Sequence, residues 1–161
     1  MTRIHVPIAL RWGDQDPYGH INNVHILRIL EEARIRVFWK PDPRDATAVN
    51  AEASPLAILD ATSGGTTQHL VSSHHIQYLV PIPYLRGEVD VQVWIGKLSG
   101  AGMEVCYEIH DPVDSQTDTI YVRATTTTAL FDTAGGRLRR MTAEEEAAWR
   151  PYTDEPLAFR R

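Results

Sequence analysis

The sequence predicts an α+β domain in which one long helix lies against an antiparallel sheet. Three observations carry this. Residues 23–40 repeat apolar side chains at steps of three and four, the period of a helix. Later segments alternate apolar and polar side chains, the period of a strand. Clusters of Gly, Pro, Asp and Asn punctuate these segments, and no linker divides the chain.

Residues 4–10 read as a first strand, and Pro7 within it points to a sheet edge or a bulge. Residues 11–22 read as a loop. The helix follows, with Ile26, Leu27, Leu30, Ala33, Arg34 and Val37 on one stripe, all apolar except Arg34. Asn22 or Asn23 can cap its start, and Pro41 and Pro43 end it. Residues 42–55 are polar and alanine-rich without a clear period, and read as a loop that could close over a site or, over 46–53, as a helix. Residues 67–80 and 87–98 read as long strands. Residues 99–102 form a hairpin turn into a strand with Met103, Val105, Tyr107 and Ile109 on one face. A polar turn at 111–118 leads to a last strand, 119–131. These four strands are expected to follow one another as a meander. Thr142 with Glu145 forms a capping box for a short helix, 143–149. A single helix leaves the other sheet face and the sheet edges open, so pairing with a second copy is expected.

The bulk properties bound the function. A chain of 161 residues suits one domain, 1–161, with its own core. A net charge of −5 and a pI near 5.8 argue against nucleic acid as partner, since a polyanion needs a basic face. The lone cysteine, Cys106, excludes an internal disulfide and fits a reducing compartment. The first residues lack the apolar run of a signal peptide, and no apolar stretch is long enough to span a bilayer. The expectation is a cytoplasmic protein without a membrane partner.

The densest polar cluster is the loop between the first strand and the helix, Asp14-Gln15-Asp16-Pro17-Tyr18-Gly19-His20-Ile21-Asn22-Asn23. A helix start presents free N–H groups and a partial positive charge, and can hold a carbonyl oxygen that gains charge during attack. Asp16 beside it is a candidate nucleophile or general base. The same residues also make an ordinary turn and cap, Asp-Pro-x-Gly followed by Asn-Asn. Residue chemistry alone leaves both readings open.

The pattern Arg11-Trp12-x-Asp14-x-Asp16-x-x-Gly19-His20-Ile21-Asn22-Asn23, with Glu31-Glu32-Ala33-Arg34 in the helix, resembles the signature of the 4-hydroxybenzoyl-CoA thioesterase-like family. The resemblance implies a hotdog fold, a curved antiparallel sheet of about five strands wrapped around one long central helix. It implies an acyl-CoA thioesterase that needs no cofactor and works as a homodimer or homotetramer. Asp16 would be the catalytic carboxylate and the Asn23 backbone N–H the oxyanion donor. His20 would assist catalysis, and Tyr18, Gly19 and Asn22 would contact substrate. Asp14 would be structural. The Gly-His-x-Asn-Asn form is also similar to acyl-ACP thioesterases, which carry an asparagine where this chain has Tyr18. In a second branch the carboxylate comes from the helix, a part open to Glu31 or Glu32. A non-catalytic acyl-CoA binding protein is the alternative outside the enzymes.

Other motifs yield less. His74 and His75 are adjacent in a strand and cannot share a metal, and His20 and His25 lack the spacing of a zinc helix. No metal site is expected. His69, His74 and His110 are read as strand or loop residues without a special role. Cys106 has no basic neighbour in sequence to activate it. Ser63-Gly64-Gly65-Thr66 lacks the lysine of a phosphate loop, and no Gly-x-Ser-x-Gly elbow occurs. Arg86, Lys97, Arg123 and the basic run 137–140 are candidates for the phosphates of CoA, with Arg86 preferred. Trp12 borders the loop and is the tryptophan nearest to the expected substrate.

Overall fold

The computed structural model describes residues 3–42, 44, 54–60 and 65–159. A curved antiparallel sheet of six strands carries two helices. The strands are β1 (Ile4–Ala9), β2 (Thr67–Tyr78), β3 (Glu88–Ser99), β4 (Gly102–His110), β5 (Ile120–Asp132) and β6 (Arg137–Leu138). The helices are α1 (Asn23–Phe38) and α2 (Ala143–Trp149). The sheet order is β1-β3-β4-β5-β2, with β6 pairing the end of β5.

One expectation is corrected. The four long strands do not form a simple meander. Only β3, β4 and β5 do, and β2 lies beside β5 at the far edge. Pro81 and Pro83 interrupt strand geometry after β2, so the chain crosses the molecule before β3 begins. The sheet also gains β6, a two-residue strand too short to leave an alternating pattern in sequence.

Pro7 sits on β1, an edge strand, where the missing N–H costs no internal ladder bond. The β3–β4 hairpin turns through Gly100 and Ala101, pairing Ser99 with Gly102. Gly102 passes so close to β5 that a Cβ there would meet Thr128 O at 2.0 Å. Only glycine fits this approach.

α1 starts with Asn22, whose side-chain oxygen accepts the Val24 N–H at 3.0 Å. Its inner stripe buries Ile26, Ile29, Leu30, Ala33, Val37 and Phe38 against the sheet. Each large apolar side chain there stabilises the fold by roughly 1.5–3 kcal/mol. Phe38 meets Trp149 edge to face at 6.1 Å, which ties α1 to α2. α2 has the expected capping box, Thr142 Oγ1 accepting Glu145 N–H and Glu145 accepting Thr142 N–H.

The outer sheet face was expected to stand open, and it does not. The segment 153–159 crosses it. Asp154 N–H donates to Ile95 O at 2.9 Å, and Trp94 Nε1 donates to Glu155 O at 3.0 Å. Phe159 stacks on His75 at 3.7 Å. This strap buries Cys106, and burial raises its thiol to about 11. A thiol held that high supplies almost no thiolate near neutral pH. The loop expected at 42–55 lies mostly outside the described residues, and so do Ser63 and Gly64.

Candidate active site

The loop between β1 and α1 is built by its own polar groups. Asp14 is buried, 4% exposed, beneath the loop. Its carboxylate accepts the Arg11 N–H at 2.8 Å and the Arg11 Nε and Nη2 at 3.2 and 3.0 Å. His25, one turn into α1, reaches back to 3.4 Å from Asp14 Oδ1. Burial alone would raise the Asp14 pKa. Hydrogen bonds from Arg11 and the charges of Arg11 and His25 outweigh burial and lower it. Asp14 therefore holds the loop down as an ionised anchor.

Asp16 stands above it, half-buried. Its Oδ1 accepts the N–H groups of Tyr18 at 2.8 Å and His20 at 3.1 Å. Asp16 N–H donates to His20 O at 2.7 Å, and Gly19 N–H donates to Asp16 O at 3.2 Å. Gly19 takes φ +80°, a left-handed conformation that lets the loop double back. These bonds use Oδ1 and leave Oδ2 outside them. Asn22 N–H donates to Asp14 O at 2.8 Å, so the loop ends fixed to the start of α1. Asn23 is the first helical residue and is exposed, with an N–H that no intrahelical carbonyl can reach. Asn22 spends its Oδ1 on the cap, which leaves its amide nitrogen for other contacts.

A second loop, 82–87, closes beside the first. Ile21 N–H donates to Ile82 O at 2.9 Å, His20 bridges to Pro83, and Trp12 meets Tyr84 edge to face at 5.8 Å. Leu10 N–H donates to Gly87 O at 2.9 Å, and Arg86 next to it adopts φ 55°. The structure thus brings Arg86 to the rim of the same loop pair that holds Asp16, Tyr18, Gly19, His20, Asn22 and Asn23. Lys97 and Arg140 do not join them. They line a cavity of about 440 Å³ at the opposite end of β3, with Arg150 and Glu146. Arg123 is tied to Glu108 on the outer face at 2.8 Å.

The rim is unusually apolar for a surface. Trp12 is 74% exposed, Tyr18 83% and Leu85 76%. Exposed apolar side chains gathered at one place mark a surface that something covers. Among the described residues, no group of three His, Cys, Asp or Glu is arranged to hold a metal ion. No helix of the described residues is long and apolar enough to cross a membrane.

Sequence reading missed two features of the interior. His25 reaching back to Asp14 needed the helix start to be placed in space. Arg34 carried a signal, as the one charged residue on the apolar stripe of α1, and it is buried at 6% exposed.

Comparison with known proteins gives this geometry a family. Residues 10–149 match the model of the thioesterase-like superfamily. No curated protein matches the chain in sequence. Among solved structures, the chain is similar to the PA2801 protein from Pseudomonas aeruginosa, with 25% identity, TM-score 0.65, and 91% of this chain and 95% of that one covered. It is similar to the dynemicin thioesterase at 15% identity and TM-score 0.73, covering 96% and 100% of the two chains. The 12:0-ACP thioesterase from Umbellularia californica shares 18% identity and TM-score 0.67, with 98% of this chain and 56% of that one covered. The second and third likenesses speak for the fold. The family match spans nearly all of the loop, α1 and the sheet, and the chain belongs to the thioesterase-like superfamily, whose chemistry is thioester hydrolysis.

Proposed function

We propose that the protein is an acyl-CoA thioesterase whose reaction centre is the Asp16 loop at the start of α1. One observation carries this reading. A half-buried carboxylate and an unsatisfied helix N-terminus belong to a single loop, cross-braced by the Asp16–His20 and Asn22–Asp14 backbone bonds. The thioester carbonyl oxygen accepts the Asn23 N–H, aided by the positive end of the helix. Asp16 Oδ2 attacks the carbonyl carbon or takes a proton from an attacking water. The C–S bond breaks, the thiol leaves with a proton, and one water is consumed to give the free acid. His20 assists at the exposed rim, Tyr18, Gly19 and Asn22 line the approach, and Arg86 receives a CoA phosphate. The hotdog arrangement, with α1 as the helix at the centre of the sheet's curve, completes the reading.

The rim of Trp12, Tyr18 and Leu85 is then covered by substrate and by a second copy of the chain. The β2 edge also presents apolar side chains, with Leu70 41% and Val71 40% exposed, and supports pairing of two copies there. The enzyme works in the cytoplasm as a homo-oligomer.

The test is thiol release from a panel of acyl-CoA thioesters. Asp16→Asn is expected to lower kcat by about 10²–10⁴ while substrate binding stays within a few-fold. Full turnover in Asp16→Asn overturns the assignment of the carboxylate. Turnover of acyl-ACP without turnover of acyl-CoA overturns the carrier.

A further inference from the structure

The inner face of the sheet holds polar groups that the reaction centre does not use. Arg34 projects from α1 into the interior with its side chain 8% exposed. Among the described residues, its Nη1 has no hydrogen-bond partner. Its nearest carboxylate, Glu31, lies 3.8 Å from Nη2 and is itself 55% exposed, a loose and solvent-screened pair. Tyr107, fully buried on β4, faces Arg34. Burial raises its phenol pKa, and the charge of Arg34 with hydrogen bonding from Arg34 and Thr126 opposes that rise. The phenol stays neutral; Arg34 and Thr126 stand beside its Oη, but among the described residues no contact to Oη has the geometry of a close hydrogen bond.

The groups that line the cluster are polar and neutral, with the carboxylates Glu145 and Glu31 farther out, acting on His69 and His74 respectively. His69 Nε2 meets Thr128 Oγ1 at 2.6 Å, and burial holds His69 down at about 4, so it is neutral. His74 Nδ1 meets Thr126 Oγ1 at 2.9 Å, and its pKa is also lowered by burial and by Arg34. A bulge between Val71 and Ser73 is what turns His74 to this inner face. Glu31 and His74 are both exposed and form the mouth of the cluster. A buried guanidinium with no close bond at Nη1, beside a buried hydroxyl held only loosely by Arg34 and Thr126, is better satisfied when a stronger acceptor arrives.

The cluster is aligned with the reaction centre. Asn23, Leu27, Glu31 and Arg34 follow one another at steps of four, four and three, so they share one stripe of α1. Eleven residues separate the first from the last, about 16 Å along the axis. The Arg34 side chain leans back toward Glu31, which shortens the gap. A thioester carbonyl held at Asn23 would lay its acyl chain along this stripe, past half-buried Leu27, with its far end at Arg34.

We propose that Arg34 and Tyr107 form a seat for a carboxylate at the far end of the acyl group, so that the preferred substrates are thioesters of dicarboxylic acids. The assignment of these thioesters as substrates rests on the reaction centre proposed above; the carboxylate seat itself does not. Arg34 supplies the charge and Tyr107 a second donor, while His69 and His74 line the seat without charge.

Two measurements separate the seat from the reaction. The first is calorimetric binding of free adipate, suberate and sebacate against hexanoate, octanoate and decanoate, with no turnover involved. At least one dicarboxylate is expected to bind about tenfold tighter than the monocarboxylate of equal length. Arg34→Met is expected to abolish that difference. Tyr107→Phe removes an oxygen that makes no close hydrogen bond, is expected to keep the fold, and is expected to weaken the dicarboxylate by about threefold or more. The second is kcat/KM for suberyl-CoA against octanoyl-CoA, where the wild type favours the former and Arg34→Met inverts the order. Equal binding of the two acid series, or discrimination that survives in both variants, overturns the seat. Selective binding without thiol release upholds the seat and overturns the reaction centre.

Discussion

Tyr107 and Glu108 are neighbours on β4 that face opposite sides of the sheet, and their partners differ completely. Glu108 points outward and is 4% exposed. It accepts from Arg3 and from Arg123 Nε at 2.8 Å, and meets His110 Nε2 at 3.4 Å. His110 continues to Asp118 Oδ1 at 2.8 Å. Tyr107 points inward, and its hydroxyl, beside Arg34 and Thr126, makes no close hydrogen bond among the described residues. The outward network meets its own needs, with cations and carboxylates from β4, β5, the residue before β1 and the turn that precedes β5. The inward pair, Tyr107 and Arg34, has only loose partners in one another, Thr126 and Glu31, and no close bond at Nη1 or Oη among the described residues. Polar groups that complete one another hold a fold together, whereas polar groups left incomplete in a low-dielectric interior point to a missing molecule.

The sharpest way to break this contrast is to truncate the outward partner. Glu108→Ala leaves Arg3 and Arg123 without their carboxylate and His110 with Asp118 alone. Loss of a buried ion-pair partner costs about 3–5 kcal/mol, and the partial exposure of both arginines reduces this to roughly 2–3 kcal/mol. Urea unfolding at neutral pH measures it. A loss under about 0.5 kcal/mol would show that the network contributes nothing.

The pH dependence follows with a smaller effect. Hydrogen bonds from His110, and then from Arg3 and Arg123, hold Glu108 at about 2 against the opposing effect of burial. A depressed carboxylate stabilises the fold above its ordinary value of 4.5, and that contribution fades as pH falls toward 2. Neutral His69 acts on the same side, since the unfolded chain takes up its proton first as pH falls below 6.5. His110 acts in the other direction. Burial lowers its pKa, but hydrogen bonds to Glu108 and Asp118 and their charges raise it above 6.5 overall. Its contribution is full below 6.5 and is lost as pH rises through the raised value. Stability is thus expected to decline from neutral pH upward, and His110→Asn is expected to flatten that decline. Parallel unfolding curves in the two proteins between neutral and mildly alkaline pH would remove His110 from the account.

The smallest effect belongs to the inward residue. Tyr107→Phe takes away a hydroxyl that makes no close hydrogen bond, so stability is expected to change by less than about 0.5 kcal/mol in either direction. A large loss, read by thermal unfolding, would mean that Tyr107 Oη does hold the fold.

Much of this fold was legible in the sequence because it is local. The start of α1 at Asn22 and Asn23, the Thr142–Glu145 capping box and the alternation of β3, β4 and β5 each depend on residues close in the chain. The place of β2 beside β5 was not legible, since the register of Thr67 with Asp132 depends on contacts across the whole chain. The strap at 153–159 was invisible for the same reason, and with it the burial of Cys106. The loop at Asp16 could be singled out by composition, and its turn geometry follows from Pro17, Gly19 and the asparagines. The meaning of Arg34 could not, because a charged residue on an apolar stripe becomes informative only once the strands opposite it are known.

Pro7 carries a consequence for growth. A strand edge that lacks a donor is a poor template, so β1 resists the addition of another strand. β2, with no strand beyond it among the described residues, is the side from which the sheet can be extended. A sheet with one receptive side and one blunt side has a valence of one, and two such sheets that join by their receptive sides leave only blunt ends. Were two copies to join at β2, the proline edges would lie outermost and a ribbon so formed would end at two sheets.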